Sequence, residues 1–282
     1  MSITVKNLSY IYMKGTPYEK KALDGVSLVI SDGDFLGIIG STGSGKSTFI
    51  RHLNGLLKAY EGTIDVDGID LSAKKPDYKL LRQKVGMVFQ YPEAQLFADT
   101  VLKDVAYGPK NMKKPPEECE ALAHEAMELV GLDFEAFKNR SPFELSGGEK
   151  RRAAIAGVIA MKPKYLILDE PSAGLDPKGK DDIYRLILKI KASHGSTVVV
   201  ISHDIDEITE YADRIAAFDD GKIFADFNIT DVGQHADDLI AHGLDIPITV
   251  KLSRALGRKS DGAVRQSDFV RTIADAYKEG GL

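Results

Sequence analysis

Apolar and polar positions alternate through residues 3–8, the pattern of a half-buried strand, and Ser9–Tyr12 follow before a loop over 13–21 that holds Gly15 and Pro17. Residues 22–30 return to strand character and lead through Ser31-Asp32-Gly33-Asp34 into 35–39, a short apolar run bounded by glycines that reads as a buried strand. Phe49, Ile50, Leu53 and Leu56 then recur at helical spacing, with Gly55 near the end. A hairpin is predicted over 62–66 and the Asp67-Gly68 turn. A further apolar run over 85–89 stops at Gln90.

The middle of the chain changes character. Residues 92–145 contain few strand patterns, and 117–130 read as an amphipathic helix with Leu122, Ala126, Leu129 and Val130 on one face and Pro115-Pro116 at its start. A small-residue helix over 153–161 is stopped by Pro163. Strand patterns resume at 165–168, a helix follows over 180–194, and another strand over 197–201. A hairpin is expected over 214–227 around Asp219-Asp220-Gly221, and helical periodicity from about 229. Strands alternating with helices predict an α/β fold: a mainly parallel sheet covered on both faces, an N-terminal antiparallel part, a helical insertion over about 92–160 and a small C-terminal helical region. The expected division is 1–228 and 229–282.

Bulk properties narrow the function classes. The 282 residues are 43% hydrophobic, enough for one large core with an appendage, so a disordered chain is excluded. A net charge of −5 argues against a broad nucleic-acid surface, and no nucleic-acid partner is expected. Cys119 is the single cysteine; with no signal peptide evident, a reducing cytosol is expected, and Cys119 reads as incidental in a polar stretch. The longest central apolar run, 153–161, is too short to span a bilayer, so a membrane role requires a partner.

Chemistry concentrates just after predicted strands. Gly40-Ser41-Thr42-Gly43-Ser44-Gly45-Lys46-Ser47-Thr48 fits G-x-x-x-x-G-K-S between a strand and a helix. Its glycines let backbone N–H groups curl around phosphate oxygens, Lys46 is placed for the β- and γ-phosphates, and the Ser47 hydroxyl for Mg²⁺. Asp169 and Glu170 end a buried strand: one carboxylate to hold Mg²⁺ through water, the next to polarise an attacking water. Gln90 is a candidate for the metal or the water, and His203 for sensing the γ-phosphate. Tyr12 is a candidate for stacking on adenine. Ligands of parallel sheets sit at strand C-terminal ends, so these groups are expected to converge. Ser146, Gly147 and Gly148 open a helix and form a second anion site, suited to a nucleotide held by another chain.

In this order the clusters resemble those of ABC-type ATPases over roughly residues 3–226. Gly40–Thr48 is similar to the Walker A motif, Gln90 to the Q-loop, Leu145–Glu149 to the signature, Leu166–Glu170 to Walker B, Gly174-Leu175-Asp176 to the D-loop, His203 to the switch histidine and Tyr12 to the A-loop aromatic. The resemblance implies a head-to-tail dimer with two ATP molecules sandwiched between Walker A of one subunit and the signature of the other.

A narrower resemblance is to the ATPases of energy-coupling factor (ECF) transporters, carried by Gln90–Phe97, Ala154-Ile155-Ala156-Gly157 and the Gly15-Thr16-Pro17 loop with Lys21-Ala22-Leu23. The last feature and Glu170–Pro177 look like the second of the two isoforms. That implies a heterodimer with the first isoform (or a homodimer) and a C-terminal dimerisation region. It also implies a peripheral position on the cytoplasmic face of the cell membrane, against a transmembrane component and a substrate-binding membrane protein. Such ATPases drive uptake of vitamins or transition-metal ions. Coupling helices of the transmembrane component would meet an apolar groove lined by Tyr91, Leu96 and Phe97, with Glu93 facing a basic residue there. Glu149 stands where glutamine is commonest and Ser172 where threonine is. The alternatives are the ATPase of an ordinary ABC transporter, a soluble ABC ATPase acting on ribosomes or DNA, and a non-hydrolytic scaffold. The last is opposed by Glu170 and His203.

Overall fold

A computed structural model describes residues 2–257 and 264–278. Its centre is a six-stranded sheet formed from β3 (Phe35–Gly40), β6 (Val85–Val88), β7 (Tyr165–Asp169), β8 (Thr197–Ile201), β9 (Arg214–Asp219) and β10 (Lys222–Asn228), in the order β10-β9-β3-β8-β7-β6. All neighbours pair in parallel except the β9–β10 hairpin. Strands β3, β6, β7 and β8 are buried at every position, as both-faced burial requires. Successive side chains enter opposite cores. Phe35, Ile39, Leu166, Leu168, Val198 and Val200 face one, and Leu36, Ile38, Tyr165, Ile167, Val199 and Ile201 face the other.

The second core is closed by an antiparallel sheet, β2-β1-β4-β5, from β1 (Ser2–Tyr12), β2 (Lys20–Ser31), β4 (Glu61–Val66) and β5 (Ile69–Asp70). Helix α1 (Lys46–Leu53) follows β3 and buries Phe49, Ile50 and Leu53 in that core. The short helix α2 (Tyr78–Lys84) precedes β6.

The first core is covered by the helical segment between β6 and β7. It comprises α3 (Val101–Val105), α4 (Tyr107–Asn111), α5 (Pro116–Leu129), α6 (Phe134–Phe137) and α7 (Gly147–Ile159). Helix α5 lies where the periodicity places it, and Ala126 and Val130 of the expected face are buried, but the rest of that face differs. Cys119, Ala123, Ala126 and Met127 face inward, whereas Leu122 and Leu129 are only half-buried. Cys119 is therefore a core residue, not an incidental one: its acidic neighbours point outward while i, i+4, i+8 spacing carries positions 119, 123 and 127 inward.

Helix α8 (Pro177–His194) buries Ile183, Leu186, Ile187 and Ile190 as the spacing predicts, and stops at Gly195 in the left-handed region. Helix α9 (Ile205–Tyr211) follows β8. The C-terminal helices are α10 (Ala236–Ala241), α11 (Ile248–Ala255) and α12 (Gln266–Lys278). Leu239, Ile246, Val250 and Val264 from this region join the first core. Two acidic side chains of α9 accept from the backbone of this C-terminal region: Asp206 from Ile248 N at 2.8 Å and Glu210 from Gln266 N at 2.8 Å.

Candidate active site

The parallel strands deliver four clusters to one end of the sheet. β3 ends at Gly40, and the loop turns into α1 without a side-chain cap at Gly45. The first N–H groups of α1 thus lack a side-chain acceptor and remain for an anion. Two glycines make the turn possible. Gly40 has φ +152°, and a Cβ there would lie 2.4 Å from Phe218 O; Gly45 has φ +107°, and a Cβ would lie 2.6 Å from Ala22 O. Lys46 folds back into the loop, donating from Nζ to Gly40 O at 2.7 Å and Ser41 O at 2.8 Å. Burial holds its pKa below the ordinary value, while Glu170 and Asp169 pull it upward.

A cleft of about 180 Å³ opens beside this loop, lined by Tyr12, Lys20 and Ala22 on one side and Gly43, Gly45 and Lys46 on the other. Tyr12 sits at its wall, its hydroxyl 3.3 Å from Thr48 Oγ1 and its ring edge-on to Tyr10. Lys20 is absent from the residues expected from sequence. The basic pair that opens β2, Lys20-Lys21, was the available signal.

The carboxylates arrive from β7. Ser47 Oγ donates to Asp169 Oδ1 at 3.2 Å. Asp169 is 6% exposed, and burial pushes its carboxyl above the usual range; the Ser47 hydrogen bond opposes the shift and the charge of Glu170 adds to it. Glu170 has φ +47°, a strained backbone for a side-chain-bearing residue, and is held there by its N–H donating to Ile201 O at 3.0 Å. Its two oxygens face two elements: Gln90 Nε2 donates to Oε2 at 3.0 Å, and His203 Nδ1 lies 3.4 Å from Oε1. The structure thus assembles Ser47, Gln90, Asp169, Glu170 and His203, as the strand-end argument expects. Ser47, Asp169 and Gln90 offer hard oxygen donors of the type Mg²⁺ takes. Among the described residues no group of three or more His, Cys, Asp or Glu forms a metal cage. A cation here would complete its shell with phosphate oxygens and water.

Ser146, Gly147 and Gly148 do not line this cleft. Ser146 is the N-cap of α7 in a capping box: it accepts from Glu149 N at 3.4 Å, while its own N–H and hydroxyl donate to Glu149 Oε2, both at 2.8 Å. These bonds hold the Glu149 pKa below the ordinary value. The same helix is bolted to the turn after Glu170. Arg151, 7% exposed, donates to Pro171 O and Ala173 O, both at 3.1 Å. Arg151 is also absent from the expected site residues, since nothing local marks it among its basic neighbours.

A groove of about 510 Å³ lies along the helical segment, with Leu96, Phe97, Tyr107, Met112 and Met161 among its apolar walls and Arg82 at its rim. Phe97 and Tyr107 meet edge-on and are both exposed. Tyr91 does not line it. Glu93 turns back to Arg151 Nε at 3.6 Å, an ion-pair distance within the chain, rather than projecting toward an outside basic group.

Comparison with known proteins places this geometry. The ABC transporter family model matches residues 23–173. The chain is 49% identical to the energy-coupling factor transporter ATP-binding protein EcfA2 of Clostridium perfringens over 98% of this chain and 96% of the relative. It is 42% identical to EcfA2 of Bacillus cereus over 100% and 98%. Among solved structures, cbiO1 from Clostridium perfringens, part of the ABC transporter complex cbiONQ, superposes with a TM-score of 0.74 at 37% identity, covering 89% of this chain and 98% of that one. A dimeric ATP-binding cassette in a post-hydrolysis state with ADP and Pi gives 0.71 at 33% identity, covering 80% and 98%.

Proposed function

The chain belongs to the ABC transporter family and, within it, to the energy-coupling factor transporter ATP-binding proteins, and on that premise we propose how its residues bind and hydrolyse ATP. It is an ATPase subunit of an ECF-type transporter. Among the described residues no helix is long and apolar enough to cross a membrane.

ATP takes the cleft beside the phosphate loop, its base on Tyr12 and its phosphates along 40–48. The N–H groups of the loop and of the α1 N-terminus cradle the phosphates, and Lys46 swings from Gly40 O and Ser41 O toward the β- and γ-oxygens. Ser47 and Asp169, with Gln90, hold Mg²⁺, which neutralises phosphate charge when bound. Glu170 orients and polarises the attacking water; Gln90 and His203 hold its carboxylate in place. The observation that carries this is Glu170 itself, a strained residue gripped from Ile201, Gln90 and His203.

Ser146–Gly148 lie outside the chain's own cleft and cap the γ-phosphate of a second subunit's ATP. That second subunit is the other ECF ATPase isoform, with residues 229–282 contributing to the dimer. The groove at Phe97 and Tyr107 receives a helix of the transmembrane component, and a substrate-binding membrane protein sets the cargo, a vitamin or a transition-metal ion. The chain works on the cytoplasmic face of the membrane.

Affinity purification of the tagged chain from detergent-solubilised native membranes, with mass spectrometry of the co-purifying proteins, tests the assembly. A related second ATPase, one shared transmembrane protein and several small membrane proteins are expected. A dedicated permease without them would indicate an ordinary ABC transporter, and no membrane protein at all would overturn the assembly.

A further inference from the structure

Glu207 on α9 does not line the nucleotide cleft, yet its carboxylate is the most heavily used acceptor near the site. Its side chain is 9% exposed. One oxygen, Oε2, accepts three hydroxyls: Ser172 Oγ at 2.7 Å, Tyr184 OH at 3.1 Å and Ser202 Oγ at 3.2 Å. The other, Oε1, lies 2.6 Å from Lys180 Nζ, off the line of a directional hydrogen bond, so that contact acts through charge. A carboxylate withdrawn from water is costly unless paired and hydrogen-bonded, and here four groups meet that demand.

The origin of the donors gives the arrangement its meaning. Ser172 lies two residues after Glu170, and Ser202 one residue before His203. Tyr184 and Lys180 belong to α8, which comes after Gly174-Leu175-Asp176. Glu207 therefore joins, through a single oxygen, the turn that carries the water-polarising carboxylate to the turn that carries the histidine. The position of Glu207 is itself fixed. Asp204 caps α9, accepting from Asp206 N at 3.1 Å and Glu207 N at 3.3 Å, and its own N–H donates to Ser202 Oγ at 3.0 Å. Lys180 also bonds Asp204 Oδ2 at 3.1 Å. Core filling alone would call for an apolar side chain at 207, since paired buried charges contribute little net stability.

We propose that Glu207 is a positioning residue for ATP hydrolysis, locking the Ser202–His203 turn against the Pro171–Ser172 turn so that His203 and Glu170 stay in register. The proposal rests on the reading of Glu170 as the water-polarising group. Displacements of about 1 Å from outside a site cost up to about a hundredfold in rate. The nucleotide contacts, borne by Tyr12 and residues 40–48, do not pass through Glu207.

The test is the steady-state ATPase of the membrane complex that carries this chain, with Glu207→Ala, Glu207→Gln and Glu170→Gln compared with wild type, alongside the affinity for a fluorescent ATP analogue. Glu207→Ala is expected to lower kcat roughly tenfold to a hundredfold while nucleotide affinity stays within about twofold, the resolution taken for an unperturbed contact set. Glu207→Gln keeps an acceptor for the hydroxyls and should recover part of the rate. A wild-type kcat in Glu207→Ala, or a loss of nucleotide affinity as large as the loss of rate, overturns the proposal. If Glu207→Ala does not fold, Ser172→Ala removes only the hydroxyl on the Glu170 turn; a lowered kcat at unchanged affinity supports the proposal, and an unchanged kcat overturns it. A wild-type rate in Glu170→Gln would overturn the reading on which the proposal rests, whereas an inactive Glu170→Gln beside a fully active Glu207→Ala overturns the positioning role alone.

Discussion

The Ser47 hydroxyl donates to Asp169 Oδ1 at 3.2 Å, joining residues 122 positions apart: one in the first turn of the helix that follows β3, the other at the end of β7, two strands that are not neighbours in the sheet. β8 lies between β3 and β7, so the bond closes over its end. The arrangement brings a hydroxyl and a carboxylate together beside a helix N-terminus, a constellation suited to phosphates and a hard cation.

Lys46→Ala should weaken nucleotide binding without unfolding the loop's glycine turns. Charged hydrogen bonds are worth about 1.5–3 kcal/mol each, so a weakening of roughly tenfold to a hundredfold in ATP affinity is expected. Titration calorimetry on the purified chain reads this directly. Wild-type affinity would show that the phosphates do not lie along 40–48.

Arg151→Ala removes two hydrogen bonds from a buried guanidinium to Pro171 O and Ala173 O. A loss of about 2–4 kcal/mol of stability is expected, visible as a fall of several degrees in Tm. Arg151→Lys should recover little, because an ammonium cannot reproduce the planar fork. A melting curve for Arg151→Lys that overlays the wild type would contradict this.

The positions of the strands along the chain, the phosphate loop and the strand-end carboxylates were readable, because alternation and apolar runs record which face of an element is buried; the order of the strands within the sheet was not. The inward turn of Cys119 was not, because its polar neighbours masked a helical face of small residues. Neither the left-handed backbone of Glu170 nor the anchoring of Arg151 leaves a local trace. Both depend on partners at least twenty residues away: Ile201 for the first, Pro171 and Ala173 for the second. Glu93 illustrates the same limit. Its charge suggested an outside partner, and folding supplied Arg151 instead.

Ser146→Arg places a bulky cation at the N-cap of α7, outside the chain's own cleft. ATP binding to this chain should stay within about twofold, since distant sites act independently, while turnover at the partner's site stops. Equilibrium binding and ATPase assays on the same preparation separate the two. Loss of nucleotide binding to this chain would contradict a site shared between two subunits.

Acid should weaken the join between the two sheets. Burial alone would raise the Asp67 carboxyl, but hydrogen bonds from Tyr165 and Lys164 outweigh it and hold its pKa below the ordinary 3.8. A carboxyl with a lowered folded pKa contributes stability above its unfolded value, and loses it as pH falls through the folded one. Asp67→Asn should therefore lower stability at neutral pH and flatten its decline below about pH 4. Parallel pH profiles of Tm for variant and wild type would contradict the role given to this pair.

The most direct measurement is ATP turnover and ATP retention by Glu170→Gln in the assembled complex. The amide keeps the shape and the contact with Gln90 but cannot polarise water. The account predicts a fall in turnover of roughly a hundredfold or more, within the range for removing a general base, with ATP retained undegraded on the complex. Hydrolysis at the wild-type rate would show that Glu170 is not the group that activates water.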